Sequence, residues 1–115
     1  MNIDGKQQRV TIFIGESDQH GHKPLATEIV HRAHAAGLAG ATVLRGIEGF
    51  GASNHLHTTR ILSLSDDLPL VIVIVDAAER IGPFLADISA LISEGLVIID
   101  EVTVVKYVGR PPQLP

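Results

Sequence analysis

Cysteine and tryptophan are both absent from this chain. Without cysteine there are no disulfides, no thiolate nucleophile and no cysteine zinc site, a usage compatible with a reducing cytosol. Positive charge is also short. Nine lysines and arginines stand against thirteen aspartates and glutamates, and the formal net charge of −4 argues against a nucleic-acid surface. No run of like charge marks a tail. The longest apolar run, LPLVIVIV at 68–75, is far too short to span a bilayer. The opening MNIDGKQQR lacks the apolar core of a secretory signal. These absences lead to the expectation of a cytoplasmic protein with no nucleic-acid partner.

What remains suits one domain: 115 residues, 45% of them apolar, can bury a core. Residues 1–8 read as a flexible lead-in, 9–108 as the domain and 109–115, GRPPQLP, as an irregular tail. From Arg9 to Ile14 the pattern alternates, with Val10, Ile12 and Ile14 on one side and Thr11 and Phe13 on the other, which predicts a strand. Pro24 suits a helix start, Leu25, Ile29, Ala33 and Ala36 recur at helical spacing, and Gly37 suits the C-terminal cap. Glu28 and Arg32 are placed to pair along that helix. A second strand is expected over 41–47, and LVIVIV at 70–75 predicts a third. Asp76 and Glu79 have capping-box spacing ahead of a helical stripe of Ile81, Phe84, Leu85, Ile88, Leu91 and Ile92, closed by Gly95. Pro83 implies either a kinked first turn or a helix beginning at Pro83. The last strand is expected within 97–108, from about Glu101.

The order β-α-β, long loop, β-α-β predicts an α+β, ferredoxin-like βαβ-βαβ sandwich: a four-stranded antiparallel sheet with two helices on one face. LVIVIV is apolar at every position, whereas a strand with one wet face needs only alternation. The face opposite the helices, with Phe13, Leu44 and Val105 in addition, is therefore expected to be covered by other copies of the chain.

LAGATV at 38–43, GFG at 49–51 and DLPLVIVIV at 67–75 resemble the PII signal-transduction superfamily. IGESD at 14–18 and GATVLRGIEGFGASNHLHT at 40–58 resemble, more closely, its PII-like branch known as domain of unknown function 190. The resemblance covers residues 10–107. It implies a trimeric PII-like assembly, a homotrimer that binds a small effector, often an adenine nucleotide, in clefts between subunits. It implies signal transduction rather than catalysis, through a loop after the second strand that contacts a partner such as a membrane transporter or channel. Gly49 and Gly51 would then lie at the loop base, facing the cleft. The glycine-rich loop with a lysine that binds ATP in many PII proteins is replaced here by SEGLVIID at 93–100, and the arginine pair after the last strand by Lys106 and Arg110. The loop carries no tyrosine.

The residues themselves suggest the following chemistry. Gly46, Gly49 and Gly51 permit close backbone approach, and their N–H groups could form an anion-holding nest or simply a bulge and a turn. Arg45, Arg60, Lys106 and Arg110 could supply charge for phosphate if subunit packing gathers them. With Ser53, His57, Thr58 and Glu16, these make up the candidate ligand set: Arg45, Gly49, Gly51, Ser53, His57, Thr58, Arg60, Glu16 and Lys106. GESD also reads as a plain solvated turn, since Gly, Ser and Asp are turn residues. Two H-x-H pairs, His20 with His22 and His55 with His57, open a metal reading in which His55, His57 and Glu48 hold a divalent ion, as in a cation-tolerance trimer of the same fold. His31 and His34 lie along the polar side of the first helix. Ser53 and His57 could pair as nucleophile and base in a phosphate-ester hydrolase, but no residue is placed to orient the histidine. No P-loop is present.

Overall fold

A computed structural model describes residues 3–51, 57–58 and 67–109. Four strands, β1 (Gly5–Gly15), β2 (Thr42–Arg45), β3 (Pro69–Asp76) and β4 (Leu96–Val104), form one antiparallel sheet in the order β2-β3-β1-β4. Helices α1 (Leu25–Ala35) and α2 (Ala78–Ile88) lie between the strands of each half, and a 3₁₀ turn, Ser89–Leu91, follows α2. This is the ferredoxin-like sandwich the sequence predicts.

The alternation in β1 and β3 sets the layers. Val10, Ile12, Ile14, Ile72 and Ile74 are buried against Leu25, Ala26, Ile29 and Ala33 of α1 and Ile81, Phe84 and Ile88 of α2. Residues directly opposite in an antiparallel pair share a face. The register Phe13↔Val71, Leu44↔Val71, Thr11↔Val73 and Phe13↔Leu96 therefore puts Phe13, Leu44, Val71, Val73, Leu96 and Ile98 together on the face away from the helices. Phe13, Leu44, Leu96 and Ile98 are exposed there, so the uncovered apolar face is real in the single chain. On the helix side, Val97 and Ile99 of β4 are exposed as well, because the helices reach over β1 and β3 but not over this edge.

α1 ends as its glycine predicts. Gly37, at φ +74°, lets its own N–H reach the His34 carbonyl and the Leu38 N–H reach the Ala33 carbonyl, a Schellman closure. The Arg32 Nε donates to Glu28 at 2.8 Å, as the spacing predicts, and its Nη1 reaches Asp87 of α2 at 3.1 Å.

Four sequence expectations are corrected. β1 begins at Gly5 rather than near Arg9, and Ile3 is buried, so residues 3–8 are not a flexible lead-in. GKQQ carries no apolar alternation, and its strand rests on backbone pairing with Glu101–Val104. β4 runs 96–104, earlier than expected, because the chain leaves the sheet where Tyr107 turns to Asp4 and Ala39: its N–H donates to Asp4 at 3.0 Å and its hydroxyl to the Ala39 carbonyl at 2.8 Å. α2 starts at Ala78 and runs through Pro83. No capping box forms at Asp76 and Glu79: the N-cap is Ala77, with no side-chain cap. Asp76 is instead fully buried and accepts N–H groups from Ala77 at 2.6 Å and Ala39 at 2.8 Å, tying the start of α2 to the α1–β2 connection.

Candidate functional site

At the end of the sheet where β1 stops and β3 starts, three segments meet: the GESD turn, the entry to the long loop at Arg45, and the exit from it at Asp67. Asp18 closes the turn by accepting the Gly15 N–H at 2.9 Å, and its own carbonyl takes the Leu25 N–H at 2.8 Å. The Ser17 N–H donates to Asp67 Oδ1 at 2.6 Å, and the Glu16 N–H to the Leu68 carbonyl at 2.8 Å. Arg45 reaches past the first residues of β3 to Glu16 in a two-pronged ion pair, Nε to Oε2 at 2.7 Å and Nη2 to Oε1 at 2.8 Å. The GESD segment is thus a turn, and its side chains and backbone also hold both roots of the long loop.

Beside this junction lies a cavity of about 580 Å³. Phe13, Phe50, Leu96 and Pro69 give it apolar walls, and Asp18, Asp67 and Glu94 give it carboxylates. Gly95, at φ +152°, brings the α2–β4 connection against the backbone of β1: an added Cβ would strike the Phe13 carbonyl oxygen. The cavity mixes apolar walls with hydrogen-bond acceptors, as ligand pockets do.

Of the ligand residues expected from sequence, Glu16 and Arg45 are brought together, and Gly51 lines the cavity. Gly49 and His57, with Glu48 and Thr58, form a two-residue ribbon just beyond the loop entry. Ser53, His55, Arg60 and Arg110 lie outside the described residues. Lys106 follows the far end of β4, beyond the level of Gly5, whereas Arg45 sits level with Ile14; at about 3.3 Å per strand residue the two are roughly 30 Å apart along the sheet. They are not neighbours within one chain.

The nest reading loses Gly46, whose N–H is already bonded to the Pro69 carbonyl at 2.7 Å because the β2–β3 pairing carries on one residue past Arg45. His20, His22, His31 and His34 are exposed, and among the described residues no group of three or more His, Cys, Asp or Glu side chains is placed to hold a metal ion. Sequence reasoning missed Phe50, Asp67, Pro69 and Glu94. The signal for Phe50 was an aromatic flanked by two glycines in a polar loop. Asp67 carried none, since its partner Ser17 is fifty residues away.

Comparison with known proteins adds the following. The family model DUF190, described as "Uncharacterized ACR", matches residues 7–104. A UPF0166 protein of Aquifex aeolicus is 33% identical over 100 residues, spanning 87% of this chain and 94% of the relative. A UPF0166 protein of Methanocaldococcus jannaschii is 31% identical over 102 residues, spanning 88% and 94%. Among solved structures, CPII, a nitrogen regulatory PII-like protein from Thiomonas intermedia bound to ADP, AMP and bicarbonate, superposes with a TM-score of 0.67 at 17% identity, covering 88% of this chain and 90% of that one. A putative PII-like signaling protein from Thermus thermophilus superposes with a TM-score of 0.61 at 18% identity, covering 91% and 94%. At such identities the likeness to these structures is one of fold.

Proposed function

The chain belongs to the DUF190 family, and from that membership we propose that it is a PII-like regulatory protein, a homotrimer that binds an adenine nucleotide between subunits and signals to a partner. The observation that carries this reading is the cavity at the roots of the long loop. Its apolar walls, Phe13, Phe50 and Leu96, suit the faces of a base, and the carboxylates of Asp18, Asp67 and Glu94 suit exocyclic amino donors. The same carboxylates repel phosphate, so the anionic end points outward, toward Arg45 and toward Lys106 of a neighbouring copy. The exposed apolar sheet face supports the trimer, since covering it removes a large wet patch. The ADP, AMP and bicarbonate of the CPII structure suggest the first ligands to try. The partner is a membrane transporter or channel contacted by the segment between β2 and β3. The role is binding rather than catalysis.

Calorimetric titration with ADP, AMP and bicarbonate tests this. Binding of a nucleotide that weakens at least tenfold in Phe50→Ala is the expected result. No nucleotide binding, with a rise in melting temperature on adding Zn²⁺ that disappears in His57→Ala, would replace it with the metal reading.

A further inference from the structure

We propose that Glu16 is an internal anion occupying Arg45, and that the anionic group of an effector gains this arginine only by displacing the glutamate. The inference rests on the nucleotide reading above and adds the residue that sets which anions succeed. Arg45 spends both prongs of its guanidinium on Glu16, at 2.7 and 2.8 Å. That fork is the geometry in which arginine takes any two-oxygen anion, whether carboxylate, bicarbonate or terminal phosphate. Both backbones are fixed: Glu16 by its N–H on Leu68, and the chain after Arg45 by the Gly46 N–H on Pro69. The side chains themselves are wet, 63% exposed for Arg45 and 40% for Glu16, so the pair contributes little to folding and can open without unfolding anything.

Neither side chain of the pair is among the cavity walls, but Gly15, the residue before Glu16, and Pro69, which anchors Gly46, both line it, so the backbone that carries the pair adjoins the cavity. A tethered carboxylate competes at an effective concentration in the millimolar range. A free small anion in dilute solution loses to it. An anion whose other end is held in the cavity wins, because the second contact is then also intramolecular. Glu16 thereby weakens every ligand that needs Arg45 by the same factor, and only a ligand with further contacts in the cavity keeps enough affinity to bind in dilute solution.

The test is calorimetric titration of ADP, and separately of inorganic phosphate, into the wild type, Glu16→Gln, Arg45→Gln and the double variant. Glu16→Gln is expected to bind both probes more tightly by up to about fivefold, the factor that an exposed pair supplies. Arg45→Gln should bind ADP more weakly, and in its background Glu16→Gln should change nothing. Glu16→Asp, too short to close the fork, should shift affinity in the same direction as Glu16→Gln, and circular-dichroism melts matching the wild type establish that each variant is folded. Wild-type binding of ADP with Glu16→Gln no tighter would overturn the displacement and leave the proposed function standing. Failure of all four proteins to bind ADP would overturn both.

Discussion

Gly46 has no space for a side chain. A Cβ there would sit 2.6 Å from Pro69 Cγ and 3.2 Å from its carbonyl oxygen, both on the stiff first residue of β3. Gly46→Ala should therefore cost about 1–3 kcal/mol, as overpacking does, whereas Gly40→Ala, which meets nothing within 4 Å, should leave urea melts close to wild type. Asp76→Ala removes the acceptor for two backbone N–H groups at a fully buried position, and about 1–3 kcal/mol of stability should go with it. Asp100 gives a pH signature. Its hydrogen bonds from Arg9, at 3.0 and 2.6 Å, hold its carboxyl below the ordinary 3.8. A lowered carboxyl pKa stabilises the fold above the unfolded value and ceases to do so as pH falls through the folded one. The stability gap between wild type and Asp100→Asn, followed by urea melts across pH, should accordingly be constant at neutral pH and close only at acid pH, as it falls through and below 3.8. A gap that closes near neutral pH would mean that another group is responsible.

At the scale of elements, α2 carries two helix-weakening residues, Gly82 and Pro83, both exposed. Pro83 has no N–H for the helix, and its ring crowds the preceding turn. Pro83→Ala should raise stability by about 1–3 kcal/mol and Gly82→Ala by roughly 0.5–1 kcal/mol, read as a higher denaturation midpoint with unchanged slope. Elements of this kind were legible in the sequence where burial dictates composition. Val10, Ile12 and Ile14 announced β1, LVIVIV announced β3, and the apolar spacing of α1 and α2 announced both helices. The edges of elements were not legible where only backbone holds them. Gly5–Gln8 is polar, yet it is a strand because Glu101–Val104 lie beside it. Asp76 had the spacing of a cap but is claimed by Ala39, thirty-seven residues away. The site was half legible for the same reason: Glu16, Arg45 and Gly51 are marked by residue type, but the pairing of Glu16 with Arg45 spans twenty-nine positions and appears in no local pattern.

Taken whole, the single chain leaves apolar sheet surface exposed. β4 is an edge strand with Leu96 and Ile98 exposed on one side and Val97 and Ile99 on the other, an arrangement that invites pairing with another chain. Sedimentation equilibrium at micromolar concentration should return about three times the 12.3 kDa chain mass. Phe13→Glu, which puts a charge on the open face, should shift that mass toward the monomer. A wild-type monomer would remove the subunit seams that the proposed nucleotide binding requires.

Tyr107 is the sole tyrosine in a chain with no tryptophan, so ultraviolet emission excited beyond the phenylalanine band comes from one ring. That ring sits next to Lys106 in the chain, and its hydroxyl is engaged by the Ala39 carbonyl. The native protein therefore carries its own optical gauge of the segment after β4: lifting that segment would free the phenol and change its fluorescence, with no dye and no engineered label.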